Sequence, residues 1–139
     1  MSLYSTVQNI IKAAQAQPNV GYAVEGDVFD VMNFKDSSPK YSAVVISQST
    51  HGESNDFRGY GFNIFYIDRL TSDQSNRLEI QSIAIEALSN ITKALIEDGY
   101  EITGELRYHP FDEKFEDLCA GVYVEITISE SEYMCEEKY

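Results

Sequence analysis

His51 and His109 are the only histidines in the chain, and histidine is the side chain whose unperturbed titration lies nearest neutrality, so proton-transfer chemistry would start from them. His51 lies in STHGES, with Ser49, Thr50 and Ser54 as neighbouring hydroxyls. A serine nucleophile of the strand-to-helix type needs glycines two residues to either side, and that spacing is missing, so a mobile polar loop is the better reading. His109 lies in RYHPF at the end of an expected strand. It could act as a base for a neighbour, but a strand-end histidine before proline is more often structural. RGYGF, at 58–62, contains G-x-G without the third glycine or the following helix that would cradle a pyrophosphate. Asp112, Glu116 and Asp117 are close in sequence, yet neighbouring acids are expected in so acidic a chain and do not follow a calcium-loop spacing. Cys119 and Cys135 without paired histidines make no tetrahedral metal set. The expectation is a protein that is not an enzyme, with no catalytic residue, no cofactor and no metal.

Charge narrows the partners. Lys and Arg number 10 against 23 Asp and Glu, a formal net charge of -13, which repels phosphates and leaves no basic patch for duplexes or anionic membranes. Neither sequence-specific nucleic-acid binding nor a membrane is expected. The surplus concentrates after residue 110, where nine acids face only Lys114 and Lys138. From about residue 130 this reads as a flexible acidic tail, either a solvated segment or an electrostatic docking tail. The opening MSLYSTVQNIIKAAQ has neither a basic n-region nor a long apolar run, so no secretion signal or membrane span is expected and the cysteines read as reduced thiols in a cytoplasmic protein.

The elements that must position these residues fit one domain, residues 1–139, with 43% hydrophobic residues to fill a two-layer core. Leu3, Val7, Ile10, Ile11 and Ala14 recur at helical spacing and predict a helix over about 3–16. Residues 21–34 read as extended structure with a turn at Gly26, although Val28, Phe29, Val31 and Met32 also fit a helical turn. Val44, Val45 and Ile46 predict a strand from Tyr41 to Gln48 covered on both faces. Tyr60, Phe62, Ile64 and Tyr66 alternate with Gly59, Gly61 and Asn63 in a strand that begins half exposed and ends buried. A helix over about 73–98 follows, with the Thr71-Ser72-Asp73 cluster as its cap and Gln74 completing a capping box. Its main apolar stripe runs from Ile80 to Leu95, while Leu78, Ile85 and Ile96 lie beyond that stripe's edge. EITGELRY and the alternation from Ala120 to Ile128 predict antiparallel strands with one wet face. The fold class is therefore α+β: an antiparallel β-sheet of about four or five strands with two main helices packed on one face.

The stretch YSAVVISQSTHGESNDFRGYGFNIFYIDRLTSDQSNRLEIQSIAIEALSNITKALIEDG, followed by YHPFDEKFEDLCAGVYVEITI, resembles small virion proteins of tailed bacteriophages, of the tail-terminator, tail-completion or head-to-tail connector (neck) type. The resemblance is greatest to those of phages and prophages of gut Bacteroidales, including crAss-like phages. It covers about residues 20 to 130, and its distinctive words are FYIDRLTSDQSN with EIQS, and FDEKFEDLCAGVY. It implies a structural protein made in the bacterial host cytoplasm and located in the virion tail or neck. Its partners would be itself, in a homo-oligomeric ring with a hexamer or dodecamer among the expected forms, and other phage tail or neck proteins.

A ring subunit buries apolar surface against its neighbours, which makes Phe65 and Ile67 at the two-faced strand end, and Leu78, Ile85 and Ile96 on the helix, candidate interface residues. Asp68, Arg69, Arg77 and Glu79 surround the strand-to-helix turn, where they either pair across a subunit boundary or orient the turn within the chain. Phe111 and Phe115 in HPFDEKF are either interface anchors or a satellite core under a loop. The rival readings are a monomeric acidic binding module, such as a decoy or anti-defence protein, and a small hydrolase using His109.

Overall fold

The structure is a computed structural model and describes residues 2–33, 41–53, 58–115 and 117–130. The acidic tail beyond residue 130, together with Cys135 and Glu116, lies outside the described residues. The elements run α1 (Leu3–Gln15), β1 (Tyr22–Glu25), α2 (Val28–Met32), β2 (Ala43–Gln48), β3 (Gly52–Glu53), β4 (Arg58–Arg69), α3 (Arg77–Glu97), β5 (Tyr100–Thr103), β6 (Tyr108–Lys114) and β7 (Leu118–Glu130).

The class is α+β, with all seven strands in one sheet. β4 and β7 form its antiparallel spine, paired from Gly59 opposite Ser129 to Arg69 opposite Cys119. β2 and β3 share the outer edge of β4, while β6 and β5 share the outer edge of β7. The seven strands therefore occupy five lines. Four or five strands were expected because the segments of β3 and most of β6 read as loops; instead β3 continues the line of β2 after a short break, and β6 continues that of β5 after a turn at Gly104, whose φ is 81°. Two further features depart from that expectation. β1 pairs with β2 in parallel, so the sheet is mixed, and a third helix lies between them in sequence.

α1 and α3 cover the first face, as their stripes require. Ile10, Ala14, Ala84, Leu88, Ile91 and Leu95 pack on Val44, Ile46, Phe62, Ile64 and the even-numbered residues from Ala120 to Ile128. α1 begins with a reciprocal capping box between Ser2 and Ser5. α3 starts later than the sequence suggests, at Arg77. Asp73 accepts hydrogen bonds from the Ser75 amide (3.1 Å) and the Thr71 hydroxyl (2.7 Å), folding a turn of its own, and Gln74 sits at φ 59°, outside helical space. α3 ends at Asp98-Gly99, where Gly99 takes φ 101° as a helix-terminating residue can without a Cβ clash.

The second face is covered only in part. α2, capped by Asp27 through the amides of Phe29 (2.9 Å) and Asp30 (3.2 Å), lays Val28 and Met32 against Ala43, Val45, Ile67, Phe115 and Cys119. Beyond α2, Asn63, Phe65, Tyr123 and Glu125 are not fully buried. β4 corrects the expected gradient at its start: residues 59–62 are buried rather than half exposed, Asn63 and Phe65 open towards solvent, and Tyr66 and Ile67 are buried as expected. A Cβ on Gly61 would overlap the Thr50 carbonyl oxygen, because the 49–51 segment folds tightly over the strand at that point.

Candidate binding site on the second sheet face

The register builds the site. Across β4 and β7, Asn63 stands opposite Glu125 and Phe65 opposite Tyr123; across β7 and β6, Tyr123 stands opposite His109 and Gly121 opposite Phe111. Side chains at alternate positions share a face, so these residues form one grid. Phe65 and Tyr123 lie 5.1 Å apart between ring centroids, Phe65 and Phe111 meet edge-on at 6.0 Å, and His109 stacks on Tyr123 at 4.8 Å. Phe29 from α2 tilts against Phe115 at 5.6 Å. Each aromatic contact contributes about 0.5–1.5 kcal/mol beyond its buried area, so the cluster is stiff before anything binds.

Between α2 and this grid is an open cavity of about 310 Å³, lined by Val28, Phe29, Phe65, Phe111, Phe115 and Tyr123 and by three polar groups, Asn63, Glu113 and Glu125. Asn63 Oδ1 is buried and, among the described residues, is the one buried side-chain polar atom without a hydrogen-bond partner. Leaving such an acceptor unpaired costs about 1–3 kcal/mol. Neither Glu113 nor Glu125 takes part in an ion pair among the described residues.

The interface residues expected from sequence separate into distinct environments. Ile67 is fully buried in the second-face core, as is Phe115 apart from 6%, so neither is available to a neighbour. That corrects the expectation for Ile67, whose face is covered by α2, and places Phe115 in the satellite core. HPFDEKF is also not a loop: residues 108–114 form β6, an edge strand, where Pro110 is tolerated. Phe65 and Phe111 are half-buried at the cavity, while Leu78, Ile85 and Ile96 are 79%, 42% and 53% exposed. The charges find partners within the chain. Arg77 Nε pairs with Asp112 at 2.9 Å, Arg69 lies 4.0 Å from Asp117 and over the Tyr41 ring, and Asp68 accepts from the Arg69 amide. Glu79 is exposed in the first turn of α3. Half-exposed pairs of this kind are worth about 0.2–1 kcal/mol, enough to orient a turn but little more.

Neither histidine is arranged as a base. His51 Nδ1 accepts from the Gly61 amide at 3.2 Å and Nε2 lies 3.1 Å from Gln48 Oε1, so the ring links the end of β2 to β4 with both nitrogens engaged. His109 stacks on Tyr123 and has no hydrogen-bonded nucleophile among the described residues. The Cys119 thiol is buried, within 3.5 Å of Tyr41 Oη; burial pushes its pKa up, which disfavours the reactive thiolate. Among the described residues no cluster of three or more His, Cys, Asp or Glu is placed to hold a metal ion, and no helix is long and apolar enough to cross a membrane.

Sequence reasoning missed Asn63, Glu113, Tyr123 and Glu125 as site residues. Their signal was present as the outward positions of β4, β6 and β7, but alternation cannot tell a wet face from a cavity wall. Phe29 was hidden in a segment whose helical reading was not favoured. Compared with protein-family models and with curated proteins, the sequence finds no match in either.

Proposed function

We propose that this chain is a structural, non-enzymatic virion protein of a tailed phage or prophage, a subunit that closes into a ring and completes or joins the tail and neck. The observation that carries the reading is a pair of unlike apolar surfaces on opposite sides of the sheet. One is the outward line of α3: Leu78, Ile85 and Ile96 are seven and eleven residues apart, and seven or eighteen residues is close to a whole number of helical turns. The other is the aromatic opening on the second face, where Phe29 is 51% exposed beside half-buried Phe65, Phe111 and Tyr123.

A two-fold dimer uses one patch twice. Two unlike patches meeting head to tail generate a ring when the rotation closes. The resemblance in the 20–130 stretch supplies the setting, and a net charge of -13 suits a ring through which DNA passes, because it repels phosphates. Arg69 and Arg77, already paired within the subunit, orient the strand-to-helix turn in this reading while the apolar surfaces make the joint.

Native mass spectrometry with negative-stain imaging over a wide concentration range tests the proposal. Closed rings of one subunit number are expected. A monomer at every concentration would instead favour a monomeric acidic binding module, the reading supported by the carboxylate-bearing cavity alone.

A further inference from the structure

The cavity on the second face offers hydrogen-bond acceptors and aromatic faces but no cation of its own. Glu113 and Glu125 bring two carboxylates without ion-pair partners among the described residues, and the buried Asn63 Oδ1 lacks a donor. Around them, Phe29, Phe65, Phe111 and Tyr123 line the wall with aromatic rings. A planar, positive, donor-only group suits both the carboxylates and the aromatic wall. The guanidinium fits: it carries five N–H donors and no acceptor, forks onto carboxylates and stacks on aromatic rings.

We propose that this cavity receives an arginine side chain from a basic segment of an adjoining protein. Charge complementarity chooses a basic segment as the occupant, since it offers the cation that Glu113 and Glu125 lack, whereas the apolar α3 line of a second copy offers none. The arginine stem lies along Phe65 and Phe111, and the guanidinium reaches Glu113 or Glu125. The inference rests on the reading of this face as a contact surface; the arginine and the α3 line of a second copy are alternative occupants of the opening, so arginine binding belongs to the unassembled subunit and does not require ring closure.

The test is an NMR titration of the full chain, dilute and monomeric, labelled with ¹³C in the phenylalanine and tyrosine rings. The probe is Nα-acetyl-arginine amide, compared with the lysine and citrulline equivalents. Saturable shifts of the Phe65, Phe111 and Tyr123 rings are expected with the arginine probe, on the order of millimolar affinity, weaker with lysine and absent with the uncharged citrulline. Glu113→Gln with Glu125→Gln weakens binding about tenfold, and Glu125→Gln alone, at an exposed position, moves it the same way without a folding risk. No saturable shift, equal shifts with citrulline, or an unchanged affinity in the double variant overturns the proposal. So does much tighter binding of free arginine or agmatine, which would assign the cavity to a small molecule. Because the titration reads a monomer, its failure is distinct from a failure to form rings.

Discussion

Tyr41 and Cys119 are two neighbouring acids held neutral by their surroundings, and their chemistry is that of structure. Burial first, then hydrogen bonds with Cys119 and Asp117, pushes the Tyr41 phenol well above its ordinary range, and burial also raises the thiol. Both groups are acids held neutral, so their stabilising effect is fully present below the unfolded pKa values and is lost as pH rises towards the folded ones. Thermal denaturation from about pH 7 to about pH 11 checks the sign. The wild type loses stability across that window more steeply than Tyr41→Phe; parallel curves would contradict the account. Nothing in the sequence brings Tyr41 to Cys119, 78 positions away, because that contact depends on the strands β2, β4 and β7 coming together in one sheet. The same limit applies to His51. Its loop position was legible from STHGES, but the contacts of its two nitrogens with Gly61 and Gln48 were not.

Among the elements, β7 carries the most constraint. It pairs with β4 on one edge and with β5 and β6 on the other, and its even positions, Ala120 to Ile128, fill the first-face core. Gly121 is the point where three strands leave no room: a Cβ there would overlap the Tyr66 carbonyl oxygen and stand 3.0 Å from the Phe111 ring. Phe111 lies beside the bare glycine, an arrangement that lets an aromatic ring supply the side chain the strand lacks. Gly121→Ala is expected to destabilise the fold by about 1–3 kcal/mol and to move Phe111, read as a lower chemical-denaturation midpoint with altered aromatic NMR shifts. A midpoint equal to wild type would show the contact to be soft. Long periodic elements such as α3 and β7 were legible because one hydrophobic period runs through each. β1 was legible as extended structure ending at Gly26, but α2 was not, since a five-residue element carries too little pattern to separate a strand from a helical turn. The late start of α3 escaped for a similar local reason: Asp73 serves its own turn in place of the helix.

For the whole molecule, one sheet face is sealed by two long helices and the other is half sealed by one short one. That asymmetry leaves an aromatic, acceptor-lined opening on one side and the line Leu78, Ile85 and Ile96 on the other. The exposed line was legible from the width of the apolar arc in α3, whereas the opening needed the register of three strands. The central claim is that these two surfaces meet head to tail. The measurement that tests it most directly is native mass spectrometry of two blocked variants, Ile85→Asp with Ile96→Asp on the helix line and Phe29→Asp at the opening, alone and mixed. Each variant alone is expected to be monomeric while the wild type forms rings, and the mixture is expected to yield a one-to-one dimer and nothing larger, through the single joint both partners retain. A mixture that stays monomeric while the wild type assembles, a blocked variant that still closes rings, or a wild type that never assembles would contradict it.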